Sequence, residues 1–265
     1  ARAEGTHVIN LLNPASFSRS MPPQRQDHVL DFEPDDGRHV WIVLPDEHAS
    51  GPAVYSVDVL TGERIRVHHA REGFATWMVD RQHRVRLGTR VEKGGFEIHV
   101  CDPDGKNWRQ LWSYKSLGKE AILPVGFGKD PNDLYVLADW GQGRALYAVD
   151  LRDVDLKPTL KVTTERTLVS GRLVYSGKTG EAIGLIGSTG TAEAEAIYWD
   201  ADRTELTGLI DQALPGRRNR VVSLSADEAR YLVYSSNDRI PGEFYLGDDR
   251  LGKMELLALA YPKLS

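Results

Sequence analysis

Five times along the chain a short apolar or aromatic run stops on an aspartate: "VYSVD" at Asp58, "EIHVCD" at Asp102, "LYAVD" at Asp150, "AIYWD" at Asp200 and "FYLGD" at Asp248. Subtracting successive positions gives spacings of 44, 48, 50 and 48 residues. A period of this size is near the ~40–50 residues of a four-stranded propeller blade, and it limits the fold more tightly than any local motif. Three positions ahead of the aspartates stand Tyr55, His99, Tyr147, Ile197 and Tyr245, which suit a pleated, half-buried strand. An aspartate at a strand end has a local reason, since its carboxylate accepts hydrogen bonds from backbone N–H groups just beyond and closes a turn. Glycines in "DVLTG" and "DPDG" then tolerate positive φ. The five aspartates therefore read as turn-formers rather than as catalytic carboxylates.

Upstream of each aspartate lies a second apolar run: "HVWIVLP", "RVRLGTR", "LYVLADW", "AIGLIGS" and "YLVYSSN". A polar turn precedes each of these, and a weaker strand such as "RIRVHH", "WRQLWSY" or "MELLALA" follows the aspartate. Each unit is thus an antiparallel meander of four strands. The expectation is an all-β chain, a β-propeller of four-stranded antiparallel blades with about five blades in residues 29–265. Residues 1–28 offer only "HVINLL" and read as an N-terminal arm or a partial blade. One segment breaks the pattern: "DRTELTGLIDQALPG" places Leu206, Leu209, Ile210, Ala213 and Leu214 at helical spacing and stops at Pro215-Gly216. It predicts a short helix on a blade rim.

Thirty-three Lys and Arg against 38 Asp and Glu leave a net charge of -5, which speaks against nucleic acid as the main partner. No stretch approaches the roughly 18–20 apolar residues of a membrane span, so no membrane partner is expected. The opening "ARAEGTHVINLL" has no basic and apolar leader pattern, implying a removed targeting segment or an excised piece. A single cysteine, Cys101, rules out an intramolecular disulfide and leaves the compartment open between periplasm and cytoplasm.

Catalytic motifs are missing from the sequence. An α/β-hydrolase triad needs G-x-S-x-G followed by an acid and a histidine; the nearest segment, Gly187-Ser188-Thr189-Gly190, is out of register, and all eight histidines precede it. His68-His69 is an adjacent pair, which a strand would point to opposite faces, so no metal is expected. Nor is a cofactor, because neither a phosphate loop nor a zinc motif is present. Asp46, Glu47, Glu97 and Asp139 are carboxylates of the type a propeller glycosidase gathers in its funnel, though structural roles are the simpler reading. Trp140, in "LADWGQGRALY", suits either a sugar or peptide site or packing on a neighbouring blade. The remaining candidates are Arg217, Arg218 and Arg220, set between Pro215-Gly216 and the alternating run "VVSLSADEARYLVYSS". They mark a helix-to-strand entry and are candidates for contact with a carboxylate or a peptide terminus.

From about Leu168 onward, "SGRLVYSGKTGEAIGLIG", "LPGRRNRVVSLSADEARYLVYSSNDRIPGEFYLGD" and "LLALAYPKLS" resemble the propeller portion of bacterial prolyl oligopeptidase-family serine peptidases, including acylaminoacyl- and dipeptidyl-peptidase-like members. The resemblance implies a seven- or eight-bladed propeller, of which this chain is a part. It implies a lid over an α/β-hydrolase domain following Ser265, admitting short peptides and excluding folded proteins. The nucleophile, acid and base of that family have no counterpart here, and its glutamate-bearing segment for a substrate N-terminus is not recognisable. The partners implied are the hydrolase domain and short peptides, and open blade edges are expected to invite pairing with a second copy. A stand-alone propeller that binds a protein or cell-wall ligand is the alternative, and a five-bladed glycosidase the remote one.

Overall fold

The computed structural model describes residues 29–32, 36–46, 51–92, 94–115, 118–141, 143–163, 170–188 and 195–263. The segment 1–28, read above as an arm or partial blade, lies outside the described residues, as do Glu47 and Thr189-Gly190. Five antiparallel sheets follow one another in chain order. The first contains β1 (Val29–Asp31), β2 (His39–Pro45), β3 (Pro52–Asp58) and β4 (Arg64–His68). The second contains β5 (Phe74–Val79), β6 (Val85–Glu92), β7 (Gly95–Cys101) and β8 (Trp108–Tyr114). The third contains β9 (Leu123–Phe127), β10 (Asp133–Asp139), β11 (Arg144–Asp150) and β12 (Pro158–Val162). The fourth contains β13 (Ser170–Tyr175), β14 (Ala182–Ser188) and β15 (Glu195–Tyr198), and then the helix α1 (Ala201–Ala213). The fifth contains β16 (Arg218–Leu224), β17 (Arg230–Ser236), β18 (Glu243–Asp248) and β19 (Lys253–Leu259). The strands run as meanders, each pairing with its neighbours in sequence, which is the arrangement of propeller blades.

The repeated aspartate marks the end of the third strand in every sheet. Asp58 Oδ1 accepts the N–H groups of Leu60 (2.8 Å) and Thr61 (3.2 Å), Asp150 Oδ1 that of Arg152 (2.9 Å), and Asp248 Oδ1 that of Leu251 (3.3 Å). Asp102 holds its turn through the Asn107 amide at 3.1 Å. In the fourth sheet the same residue type has another use: Asp200 is the N-cap of α1, accepting from Arg203 N at 3.0 Å. A helix therefore follows where the other sheets place their fourth strand, and among the described residues this sheet has three strands.

A second series of turn residues joins the first strand to the second. Asp36, Asp80 and Asp130 accept from the N–H two residues on, at 2.7, 2.9 and 2.9 Å. Ser176 Oγ does the same for Lys178 at 3.2 Å, and Asp227 for Ala229 at 3.2 Å.

Each four-stranded sheet also carries a β-bulge on its outer strand, at one fixed place in the repeat. The partner register skips Val67 between Val54/Tyr55, Leu111 between Ile98/His99, Lys161 between Leu146/Tyr147 and Leu257 between Phe244/Tyr245. Those junctions all fall four and three residues before the aspartate. A bulge at this position adds twist and makes the outer edge a poorer template for strand pairing.

The sheets fall into two compact units, one made of the first two sheets with Asp130–Asn132, the other of Leu123–Lys129 and the chain from Asp133. In the first unit, Ile42, Leu44, Ala53, Tyr55 and Val57 are buried together on the first sheet. A second cluster joins Val54 to Phe74 and Trp77, with Trp41, Val85 and Trp108 packed against it. Gly88 makes that aromatic packing feasible, because a Cβ there would lie 2.6 Å from both the Phe74 and Trp77 rings. In the second unit, Leu137, Leu146, Leu173 and Leu185 form one core. Leu206, Ile210 and Leu214 on and beside α1 pack on Val221, Tyr231 and Val233 to form another. The predicted helix is thus observed, with Leu206 and Ile210 buried as its spacing requires, whereas Leu209 is 54% exposed.

Candidate functional site

The arginine run is divided between the two faces of the fifth sheet. Arg217 is on the α1 side, its Nη1 donating to Glu243 Oε2 at 2.5 Å and to Tyr245 Oη at 3.2 Å, while Tyr245 Oη donates to the same Glu243 oxygen at 2.6 Å. The Tyr245 hydroxyl and the Arg217 guanidinium hold the Glu243 carboxyl below its usual range against the opposing effect of burial. Asn219 shares this side, donating to Asp211 Oδ1 at 2.9 Å and to Leu214 O at 3.1 Å and accepting from the buried Ser235 at 2.7 Å. Arg218 and Arg220 alternate with these residues and belong to the opposite face, where they pair with Ser236 and Tyr234. Both are exposed, and the Arg220 guanidinium lies 5.8 Å from the Tyr234 ring centroid. The three arginines make no single patch: Arg217 is committed to an ion pair with Glu243, and Arg218 and Arg220 belong to the other face of the sheet.

The other residues singled out in the sequence are dispersed. Asp46 pairs with Arg66 at 2.9 Å, Glu97 with His99 at 3.0 Å and Arg90 at 3.4 Å, and Asp139 accepts from Gly141 N at 3.3 Å in a turn. Trp140 packs on Tyr147 of the same sheet, with ring centroids 4.8 Å apart. Among the described residues no group of three His, Cys, Asp or Glu side chains could hold a metal.

His68 has a role that sequence did not reveal. It packs edge-on to Trp77 with centroids 4.6 Å apart and lies 5.9 Å from Trp108. Its Nε2 is buried with no hydrogen-bond partner. Burial, aided by the charges of Arg71 and His69, pushes its pKa down to about 4, so the imidazole is neutral. Beside it a cavity of about 320 Å³ opens between the first two sheets, with Trp41, Val67, Val85 and Trp108 on its apolar side. Arg84, Asp104 and His83 supply polar groups to the same cavity. His83 is one of few non-glycine residues with positive φ, at 56°. A left-handed backbone and a partnerless buried nitrogen each cost about 1–3 kcal/mol, and both occur at this one place.

A second cavity, of about 570 Å³, lies in the other unit beside α1. It is built around Arg203 and Glu228, an ion pair at 2.5 Å whose side chains are only 6% and 9% exposed. Glu228, itself at φ 54°, also accepts from Gly177 N at 2.5 Å. Burial alone would raise its carboxyl, but hydrogen bonds from Ser176, Arg203 and Gly177 outweigh that and hold it below the usual range. One carboxylate thus joins the β13–β14 turn, α1 and the β16–β17 turn.

No family model and no curated protein sequence matches the chain. Among solved structures it is similar to a puromycin-hydrolysing peptidase of Mycobacterium tuberculosis, with 19% identity and a TM-score of 0.53, over 90% of this chain and 38% of that one. It is also similar to prolyl oligopeptidase B of Galerina marginata (10% identity, TM-score 0.46, 84% of this chain and 32% of that). TolB of Acinetobacter baumannii gives 14% identity and a TM-score of 0.36, over 84% of this chain and 41% of that. The chain spans well under half the length of each. It is an all-β chain of propeller blades, and its structural neighbours include prolyl oligopeptidase-family peptidases.

Proposed function

We propose that this chain is the propeller portion of a prolyl oligopeptidase-family serine peptidase, which gates the entry of short peptides to an α/β-hydrolase domain carried elsewhere in the same polypeptide. The observation that carries the proposal is the fold shared with 38% of a peptidase over 90% of this chain. The blade sequences after Leu168 favour the same family. In this reading the nucleophile, acid and base belong to the hydrolase domain, and the blades contribute size selection and interdomain contacts. Arg218 and Arg220, exposed on the last sheet, are the candidates for contact with a carboxylate of that domain or of a peptide.

The coding sequence flanking the chain provides the first test: it should encode G-x-S-x-G followed by an aspartate and a histidine. Chromogenic short peptides should be hydrolysed by the longer protein, with activity abolished by a serine-directed inhibitor, and left intact by the 265-residue chain alone. Flanking sequence without the motif, or inhibitor-sensitive turnover by the chain alone, would overturn the proposal.

A further inference from the structure

We infer that the cavity between the first two sheets is a binding site for a small aromatic monocarboxylate. Its apolar side is formed by the indoles of Trp41 and Trp108 with Val67 and Val85. These surfaces suit a flat ring, which gains most when stacked or set edge-on against other rings. Trp108 is also held by the Arg71 guanidinium, which lies 4.9 Å from its ring centroid. At about 320 Å³ the space is at the lower end of small-molecule sites.

The polar end specifies the acid. Arg84 donates from Nε to Asp80 at 2.9 Å, from Nη1 to Pro103 O at 2.9 Å and from Nη2 to Gln82 Oε1 at 3.2 Å, and its Nη2 lies 2.7 Å from Asp80 Oδ2 in the ion pair. A guanidinium has five N–H groups; the three hydrogen bonds and the Asp80 ion pair hold its plane, and Nη1, which makes one of those bonds, keeps a second N–H. That donor, on a side chain 38% exposed and lining the cavity, matches a carboxylate oxygen in a charge-assisted bond. Asp104 lines the same cavity and faces Lys106 Nζ at 3.8 Å. Its charge disfavours a second carboxylate on the ligand, which sets the preference for a monoanion. The neutral His68 beside Trp108 adds aromatic surface with no competing charge.

The test uses 3-phenylpropionate and its uncharged analogue 3-phenylpropanol, titrated against the 265-residue chain and followed through the indole N–H signals of Trp41 and Trp108. Saturable binding of the acid is expected, about tenfold tighter than the alcohol. Arg84→Gln should remove that tenfold advantage and leave the alcohol unchanged. Asp104→Asn, a surface change that keeps the turn-closing oxygen, should tighten the acid about threefold with no effect on the alcohol. No saturable binding, equal affinities for acid and alcohol, or an Asp104→Asn protein that binds the acid no better than before would each overturn the inference.

Discussion

At the scale of single residues, the largest energetic claim concerns Glu228. Removing one member of a buried ion pair leaves the other charge without compensation, which costs more than the pair contributes when intact. Glu228→Gln keeps an acceptor for Gly177 but leaves the Arg203 charge buried, and it should lower unfolding free energy by about 2–3 kcal/mol in urea titrations. A loss below about 0.5 kcal/mol would place the pair among surface bridges. His68 carries a pH dependence of definite sign. Its folded pKa of about 4 is below the ordinary histidine value of 6.5, so between these values the unfolded chain binds a proton that the folded chain does not. Its contribution is complete above about pH 6.5 and is lost as pH falls toward 4, so melting temperature should drop across that window. His68→Phe should flatten the drop; an unchanged pH profile would show the imidazole to be protonated in the fold. Neither residue was legible in the sequence as it functions here. Glu228 sits 25 positions from Arg203 and 51 from Gly177, and only the packing of successive sheets brings them together. Arg217 is likewise remote from its partner, Glu243, 26 positions away, but here strand pairing within the fifth sheet brings the two together.

At the scale of elements, the legible features were those written in local chemistry. The aspartate at each third-strand end, the glycine-bearing turns and the helical spacing of Leu206 and Ile210 all act within a few residues of themselves, and all are observed. What one residue type does in two settings was harder to read. Asp200 looks like its four counterparts, yet the helix-forming "ADRTELTGLIDQA" after it turns its carboxylate into a cap. Asp200→Ala should therefore cost about 1 kcal/mol of stability, the ordinary value of an N-cap. Asp200→Ser should restore most of it, as thermal unfolding of the two variants would show. Failure of serine to rescue would mean that the carboxylate acts through its charge. The bulges at Val67, Leu111, Lys161 and Leu257 left no mark in composition, because a bulge is a register relation between two strands. They also bear on the expected self-association of open edges: every four-stranded sheet shows its neighbours a kinked outer strand, and such strands pair poorly.

At the scale of the whole molecule, the split arginine run gives the proposed function a test internal to this chain. If the last sheet contacts a hydrolase domain or a peptide, the two faces should respond differently to loss of charge. Arg217 is tied to Glu243 and Tyr245 inside the sheet, so Arg217→Ala should destabilise the fold by about 1–2 kcal/mol, the loss of a charge-assisted hydrogen bond. Its effect on KM for short peptides should be small once the protein is folded. Arg218→Ala and Arg220→Ala remove exposed cations and should leave unfolding within about 0.5 kcal/mol of the starting protein. In the longer protein they should raise KM for short peptides severalfold or lower the temperature at which the domains separate. A contact with a peptide carboxylate predicts that KM rises for free peptides and not for peptides amidated at the C-terminus. A contact with the hydrolase domain predicts the same change for both, together with weaker association of the domains. Unchanged kinetics and unchanged domain association in the Arg218→Ala, Arg220→Ala double variant would reduce the exposed pair to solvated charge on the last sheet. Gating would then have to reside in the other blades.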